Sequence, residues 1–262
     1  MRERELIGEL MDDPGLPEHE LTHALRGLSR LNSISLAAGA TMLPLCTLAD
    51  ELQCSEARPL RVLDVACADA ELICAAARIS TTHPRPMLLF GCDINPRSIA
   101  LAQQQARAAQ AAPLPKEAKR AMQPPTFFVH DMIQAAPPGE YDVVMCSLFL
   151  HHLSDEHALR AIQHMARAAR HALLINDLVR SRIALAVVAI ASRLLTRSRI
   201  VHVDALRSVR AAFTRDELLA LCERAALPSR ARWGGFARTI ILARTDGAGV
   251  ASPQTAHSPR HA

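Results

Sequence analysis

The amino-acid sequence predicts an α/β fold, a doubly wound and mostly parallel seven-stranded sheet behind a helical N-terminal lid, and three observations carry that expectation. Apolar, β-rich runs alternate with segments of helical periodicity from Leu60 onward, the pattern of a parallel sheet covered by helices. Acidic or polar residues recur at the ends of those runs, at Asp64, Asp93, Asp131 and Ser147. Near the C-terminus, two short β-rich segments after a capped helix supply a closing hairpin.

Taken in order, residues 1–57 read as helices forming a lid: a polar start, a break at DDPGLPEHE, then Leu21, Leu25, Leu28, Leu31 and Ile34 at helical spacing. RVLDVA opens the sheet and leads into a helix from Glu71 to Ile79. MLLFGCDI follows, with a helix from Ser98 to Ala112, and AAPLPKEAKRAMQPP makes a surface excursion before TFFVHD. YDVVMCSLFL precedes a helix from Glu156 to His171, and ALLINDL precedes a helix through Ile183 to Leu195. VHVDALRSVRAAFT reads as a solvated connection. Thr214, with Glu217 three residues on, starts a capped helix, and Ala231 to Phe236 with Thr239 to Ala243 form the hairpin. The main domain spans 58–245. The tail 246–262 lacks apolar periodicity and is expected to be disordered.

Composition narrows the function. A chain of 262 residues, half of them hydrophobic, buries a full core. Aromatics at 3% argue against the stacking platforms of single-strand nucleic-acid binders, so no nucleic-acid partner is expected. The net charge is +4, with arginines gathered between Arg180 and Arg215, compatible with an anionic ligand, an acidic membrane surface or plain solvation. Seven cysteines without a CxxC pair read as reduced and cytoplasmic. The N-terminus shows no apolar signal core. The longest apolar run, Ile183 to Ala191, falls far short of the roughly 20 residues of a membrane span.

In an open α/β sheet, ligands bind at the carboxyl ends of the strands. An acid ending the second strand, here Asp93, can accept the hydroxyls of a ribose, and Asp131 can accept from an exocyclic amine. The turn after the first strand, however, has Ala66, Ala68 and Ala70 where backbone approach to a ligand calls for glycine. A pyrophosphate-binding turn needs those glycines more, and no GxGxxG is present.

At these residues the chain resembles the class I S-adenosylmethionine-dependent methyltransferases, in the small-molecule group near the ubiquinone and menaquinone methyltransferases. RVLDVACADAEL is similar to the first family motif, usually LDVGCGTGDL. FGCDINPRSIALAQQQA resembles the acidic ribose motif with its helix, FVHDM the adenine segment, and YDVVMCSLFLHHL the fourth-strand motif, together covering Leu60 to Leu178. The resemblance implies a Rossmann-like domain with S-adenosyl-L-methionine as cofactor. It places Asp64 and the backbone of Ala66, Ala68 and Ala70 against the methionine moiety, and Asp93 on the ribose. Ile94 falls beside the adenine, Asp131 and Met132 frame the base, and Ser147 lines the route to the methyl group. The departure is AxAxA for GxGxG, and each alanine forced to positive φ costs on the order of 1 kcal/mol.

Methyl transfer to oxygen or nitrogen calls for a base, and His151 and His152, just beyond the fourth strand, are the candidates, with packing in the lid as the alternative for either. His202, Asp204, Arg207 and Arg210 lie in a connection able to fold over an acceptor, although solvation is the plainer expectation for it. Asn176 and Asp177 are acceptor contacts or, the favoured expectation, caps of the helix near Arg180. No histidine has metal-ligand company at a useful spacing, so no metal is expected. The apolar helix from Ser181 to Leu195, flanked by arginines, is a core helix by default. The sharper expectation makes it the wall of a greasy acceptor cavity with a peripheral membrane contact. The function expected is methylation of a hydrophobic small molecule, a phenolic or quinol-like hydroxyl leading. The alternative is a non-catalytic relative with a degraded cofactor loop, acting as a binding or scaffolding partner.

Overall fold

A computed structural model of the chain describes residues 3–13, 15–17, 19, 20, 23, 24, 26, 27, 30, 31, 37–53, 58–81, 83, 86–111, 123–235 and 237–245. Its seven strands are β1 (Leu60–Val65), β2 (Met87–Asp93), β3 (Thr126–Val129), β4 (Tyr141–Ser147), β5 (Ala169–Leu178), β6 (Ser229–Trp233) and β7 (Arg238–Arg244). They form one sheet in the order β3-β2-β1-β4-β5-β7-β6. β1 to β5 pair in parallel, and β7 runs antiparallel to both β5 and β6. The expected topology, closing hairpin included, is the observed one.

The central strands read as continuous apolar runs because both sheet faces are covered. In β1, Leu63 and Val65 enter a core shared with Ile162, Met165 and Phe213. Leu60 and Val62 point the other way, into a core with Leu45, Leu48 and Ile73, as the two-residue period of a strand requires. The helices on these faces are α1 (Ala37–Gln53), α2 (Glu71–Ser80), α3 (Pro96–Ala111), α4 (Asp155–Ala168) and α7 (Arg215–Arg224). Between β5 and α7 come α5 (Arg182–Leu195) and α6 (Arg199–Ala211). At the amino end of the sheet, Arg58 holds the buried Asp142 carboxylate through hydrogen bonds of 2.6 and 2.8 Å, and the Arg61 N–H donates to it at 2.8 Å.

Three expectations change. The connection holding His202 and Asp204 is the helix α6, capped by the Ser198 hydroxyl, with Ile200, Val201 and Val209 turned inward. His171 belongs to β5 and not to a helix: extended backbone at Ala169 ends α4. Asn176 and Asp177 do not cap α5, because Ser181 does so by accepting from Ala184 N at 2.9 Å. The capping box holds, with Glu217 N donating to Thr214 Oγ1 at 3.2 Å and Thr214 N to Glu217 Oε2 at 2.7 Å.

Of the N-terminal apolar positions, Leu21, Leu25, Leu28 and Ile34 lie outside the described residues, while Leu31 packs with Leu10 and Met11 against Ile200 and Val201. Residues 112–122 of the excursion, Phe236 and the tail 246–262 also lie outside them. Among the described residues no helix is long and apolar enough to cross a membrane.

Candidate active site

The turn after β1 keeps a glycine-like course without glycine. Ala66, Ala68 and Ala70 have φ of 53°, 46° and 63°, the left-handed region that L-residues enter only at a cost. Hydrogen bonds hold the turn there: Cys67 N to Cys92 O at 3.0 Å, Ala70 N to Cys67 O at 2.7 Å, and Ala68 N to Asp93 Oδ2 at 3.2 Å. The methyl groups part company. That of Ala70 is fully buried in the core beneath α2, whereas Ala66 and Ala68 stand in the wall of a cavity. The close approach that demands glycine has moved to β2: a Cβ on Gly91 would lie 2.8 Å from the Phe127 ring and 3.0 Å from the Cys67 sulfur.

The cavity, of about 840 Å³, lies at the carboxyl ends of β1 and β4 beneath α5, α6 and the β6–β7 turn, well within the size of ligand sites. Asp64, Ala66, Ala68, Ser147, His151 and His152 all stand in its wall. Asp64 is buried, and its Oδ1 has no hydrogen-bond partner among the described residues. Burial, reinforced by the charge of Asp93, pushes its carboxyl well above the ordinary range. Asp93 ends β2 outside the cavity wall, its Oδ1 accepting from Asn95 N at 2.8 Å. Beside it Ile94 is 62% exposed. Asp131 makes a local turn, accepting from Ile133 N at 2.8 Å. The Met132 side chain is buried in the core with Leu63 and Ile162 and so is not on the cavity side.

Among the described residues the acids in the wall are Glu9, Asp64, Asp69, Glu71 and Asp204, against Arg238 and the histidines His151 and His152. Burial lowers Arg238 to about 10, with Asp177 and Glu71 favouring its charge. The remaining wall is greasy: Met11, Leu178, Val188, Leu195 and Val201 among others.

His151 is buried, and its Nδ1 lies 2.6 Å from Asp177 Oδ1. The same carboxylate accepts from the backbone N–H of His151 at 3.2 Å and of Leu178 at 2.7 Å. Burial alone would raise Asp177, but His151 and the Leu178 N–H outweigh it and hold the carboxyl below its usual value. An ionised Asp177 selects the tautomer of the neutral ring, the one with the proton on Nδ1 and the lone pair on Nε2. His152 packs its ring 4.1 Å from that of His151. Although His152 keeps an exposed edge, the packing around its ring, then the neighbouring His151, lowers it to about 4.

An N-terminal strap completes this wall. Arg4 stacks on the Phe213 ring at 3.5 Å, donates to the carbonyls of Ala211, Leu153 and His151 at 2.7, 2.9 and 3.3 Å, and pairs with Asp155 at 2.5 Å. Further along, both oxygens of the buried Asp204 accept, from Leu10 N at 2.7 Å and Met11 N at 3.0 Å. Between them Glu9, bonded to the Ser208 hydroxyl, comes close enough to the histidines that one ligand atom each of Glu9, His151 and His152 lies within 4.8 Å of the others. This convergence has no local signature, since Glu9 stands in a charged run far from the strand tips and Asp177 reads as a cap.

The comparisons agree with this fold. Residues 62–172 match the family described as "Methyltransferase domain". The magnesium protoporphyrin IX methyltransferase of Synechocystis PCC 6803, solved with bound SAH, is similar in structure with a TM-score of 0.52 at 20% identity, over 89% of this chain and 90% of that one. The plantazolicin methyltransferase BamL, solved with a triazolic desmethylPZN analog and SAH, gives 0.61 at 11% identity over 85% and 90%. The citrinin polyketide synthase CMeT domain gives 0.52 at 11% over 71% and 46%. No curated protein matches in sequence. The family match covers residues 62–172, less than half of the chain, and together with the strand order and the structural likenesses it shows the fold of the class I methyltransferases.

Proposed function

We propose that the chain methylates a hydrophobic small molecule, with S-adenosylmethionine as donor and a phenolic or quinol-like hydroxyl as the acceptor group. The observation that carries this reading is Asp64. A buried carboxylate with an orphaned oxygen, in a wall of five acids and one arginine, is a site that lacks a cation. S-adenosylmethionine supplies an activated methyl on a sulfonium and carries an ammonium group besides. Asp64 faces that cationic end, Asp93 takes the ribose, and exposed Ile94 packs on the base, framed by Asp131 and the backbone of Met132. Ser147 lines the approach to the reacting carbon. The apolar wall from α5, α6 and the strap shapes the acceptor space and excludes water.

His151 is the base. Its Nε2 accepts the acceptor's proton as the new O–CH₃ bond forms and the sulfonium S–C bond breaks, while Asp177 holds the ring and favours the imidazolium. His152, lowered to about 4, stays neutral near pH 7 and lines the proton path with Glu9.

Calorimetric titration with S-adenosylmethionine tests the donor, and saturable binding that is lost in Asp93→Ala is expected. No heat at millimolar ligand would leave a methyltransferase fold retained as a binding scaffold. For the acceptor, turnover of a phenol panel should fall by about 100-fold or more in His151→Ala, with donor affinity kept.

A further inference from the structure

We propose that α5 seats the protein on an anionic membrane surface, through the apolar ridge of Ile183, Val187, Ile190 and Leu194 and the arginines at its ends. These four residues fall at i, i+4, i+7 and i+11, one face of the helix, and are 65%, 36%, 61% and 79% exposed. Four neighbouring apolar side chains on one exposed helix face mark an interaction surface. Arg182, Arg193, Arg197 and Arg199 are exposed around it. From Leu178 to Val203 the sequence has no acidic residue, so the surface is cationic and greasy together.

That chemistry selects the occupant. An amphipathic helix lying in the interface buries its apolar ridge among acyl chains while arginines reach the lipid phosphates. Pairing with a second copy across a two-fold axis would set arginine against arginine with no carboxylate from the helix to answer them. The helix has a second role that fits a membrane: Val188, Ala191 and Leu195, on an adjacent side, line the large cavity together with Val187 at the edge of the ridge. A lipophilic acceptor would then need to travel only about one helix diameter, roughly 10 Å, from bilayer to site. The route of entry rests on reading the cavity as the acceptor site; the surface contact does not.

The test is sedimentation of the full chain with vesicles of phosphatidylcholine alone or mixed with phosphatidylglycerol. It is paired with energy transfer from Trp233, the one tryptophan in the chain, to a dansyl lipid. Binding is expected to the anionic vesicles, weak to the neutral ones, and to decline with salt. Arg193→Gln and Arg197→Gln should each weaken it about fivefold, and Ile190→Glu with Leu194→Glu by about tenfold or more. Neither set touches the cavity, so calorimetric binding of S-adenosylmethionine should be unchanged in both and also reports that the variants fold. Equal binding to neutral vesicles, no binding at all, or wild-type binding by Ile190→Glu/Leu194→Glu overturns the proposal. So does a concentration-dependent dimer that those changes dissolve. Vesicle binding without S-adenosylmethionine binding would keep the surface and remove the catalytic reading; the reverse would remove the surface alone.

Discussion

Ala68 holds a φ of 46° in the wall of the cavity, and Ala70 holds 63° with its methyl in the core. The two differ in what glycine would change. Ala68→Gly removes left-handed strain and no buried contact, so it should stabilise the protein by about 1 kcal/mol and tighten S-adenosylmethionine binding by clearing the wall. Ala70→Gly relieves similar strain but loses a buried methyl, worth about 0.8 kcal/mol, and should leave stability nearly unchanged. Urea midpoints at constant slope measure both. Asp64 is the opposite kind of residue, one kept at a cost. Asp64→Asn should raise stability at neutral pH and weaken S-adenosylmethionine binding by about tenfold or more. A variant that bound normally would remove Asp64 from the donor site.

Among the elements, the strap depends on a few side chains. Asp204 accepts two backbone N–H groups with its two oxygens, and hydrogen bonds to a charged group are worth about 1.5–3 kcal/mol each. Asp204→Ala should therefore free the strap locally: faster proteolysis within residues 3–13, with the urea transition of the sheet shifted far less. Equal loss of both would mean that strap and sheet unfold as one unit. How far these elements could be foreseen follows from where their signals lie. The strands were legible because buried parallel strands leave continuous apolar runs, and the Thr214 box because a cap is local chemistry. The helix α6 was not, since its apolar residues Ile200, Val201 and Val209 are diluted by His202, Asp204, Arg207 and Arg210. Two of these bond to partners far off in the chain, Asp204 to the N–H groups of Leu10 and Met11 and Arg207 to the Gly8 carbonyl at 2.6 Å. His151 was legible by its place after β4, but its dependence on Asp177, 26 residues away, arises only when β4 and β5 pair. The loop ran against its residue types. Its φ values are imposed by the Cys92 and Asp93 contacts, which no local reading of ADA contains.

Over the whole molecule, charge is segregated: the chain carries +4, yet the charged groups in its largely apolar cavity wall are mostly acids. The pH dependence of stability should show this as two opposed slopes. His152 is lowered from 6.5 to about 4, so between those values the unfolded chain binds a proton that the folded chain does not. Its contribution is complete above pH 6.5 and is lost as pH falls through about 4. Asp64 is raised above 3.8, so its contribution is present below 3.8 and is lost as pH rises through the folded value. In the donor-free wild type the two slopes offset each other through the mildly acidic range. Asp142 and Asp177, both lowered from 3.8, add a loss only at still lower pH. Asp64→Asn removes one slope and exposes the other: its unfolding free energy should climb more steeply than the wild type's from pH 4 to 7. His152→Gln should make the climb shallower. Urea unfolding at intervals across that range is the measurement. An Asp64→Asn curve parallel to the wild type would show that Asp64 titrates alike in the folded and unfolded chain, and that its burial leaves no unmet demand for a cation.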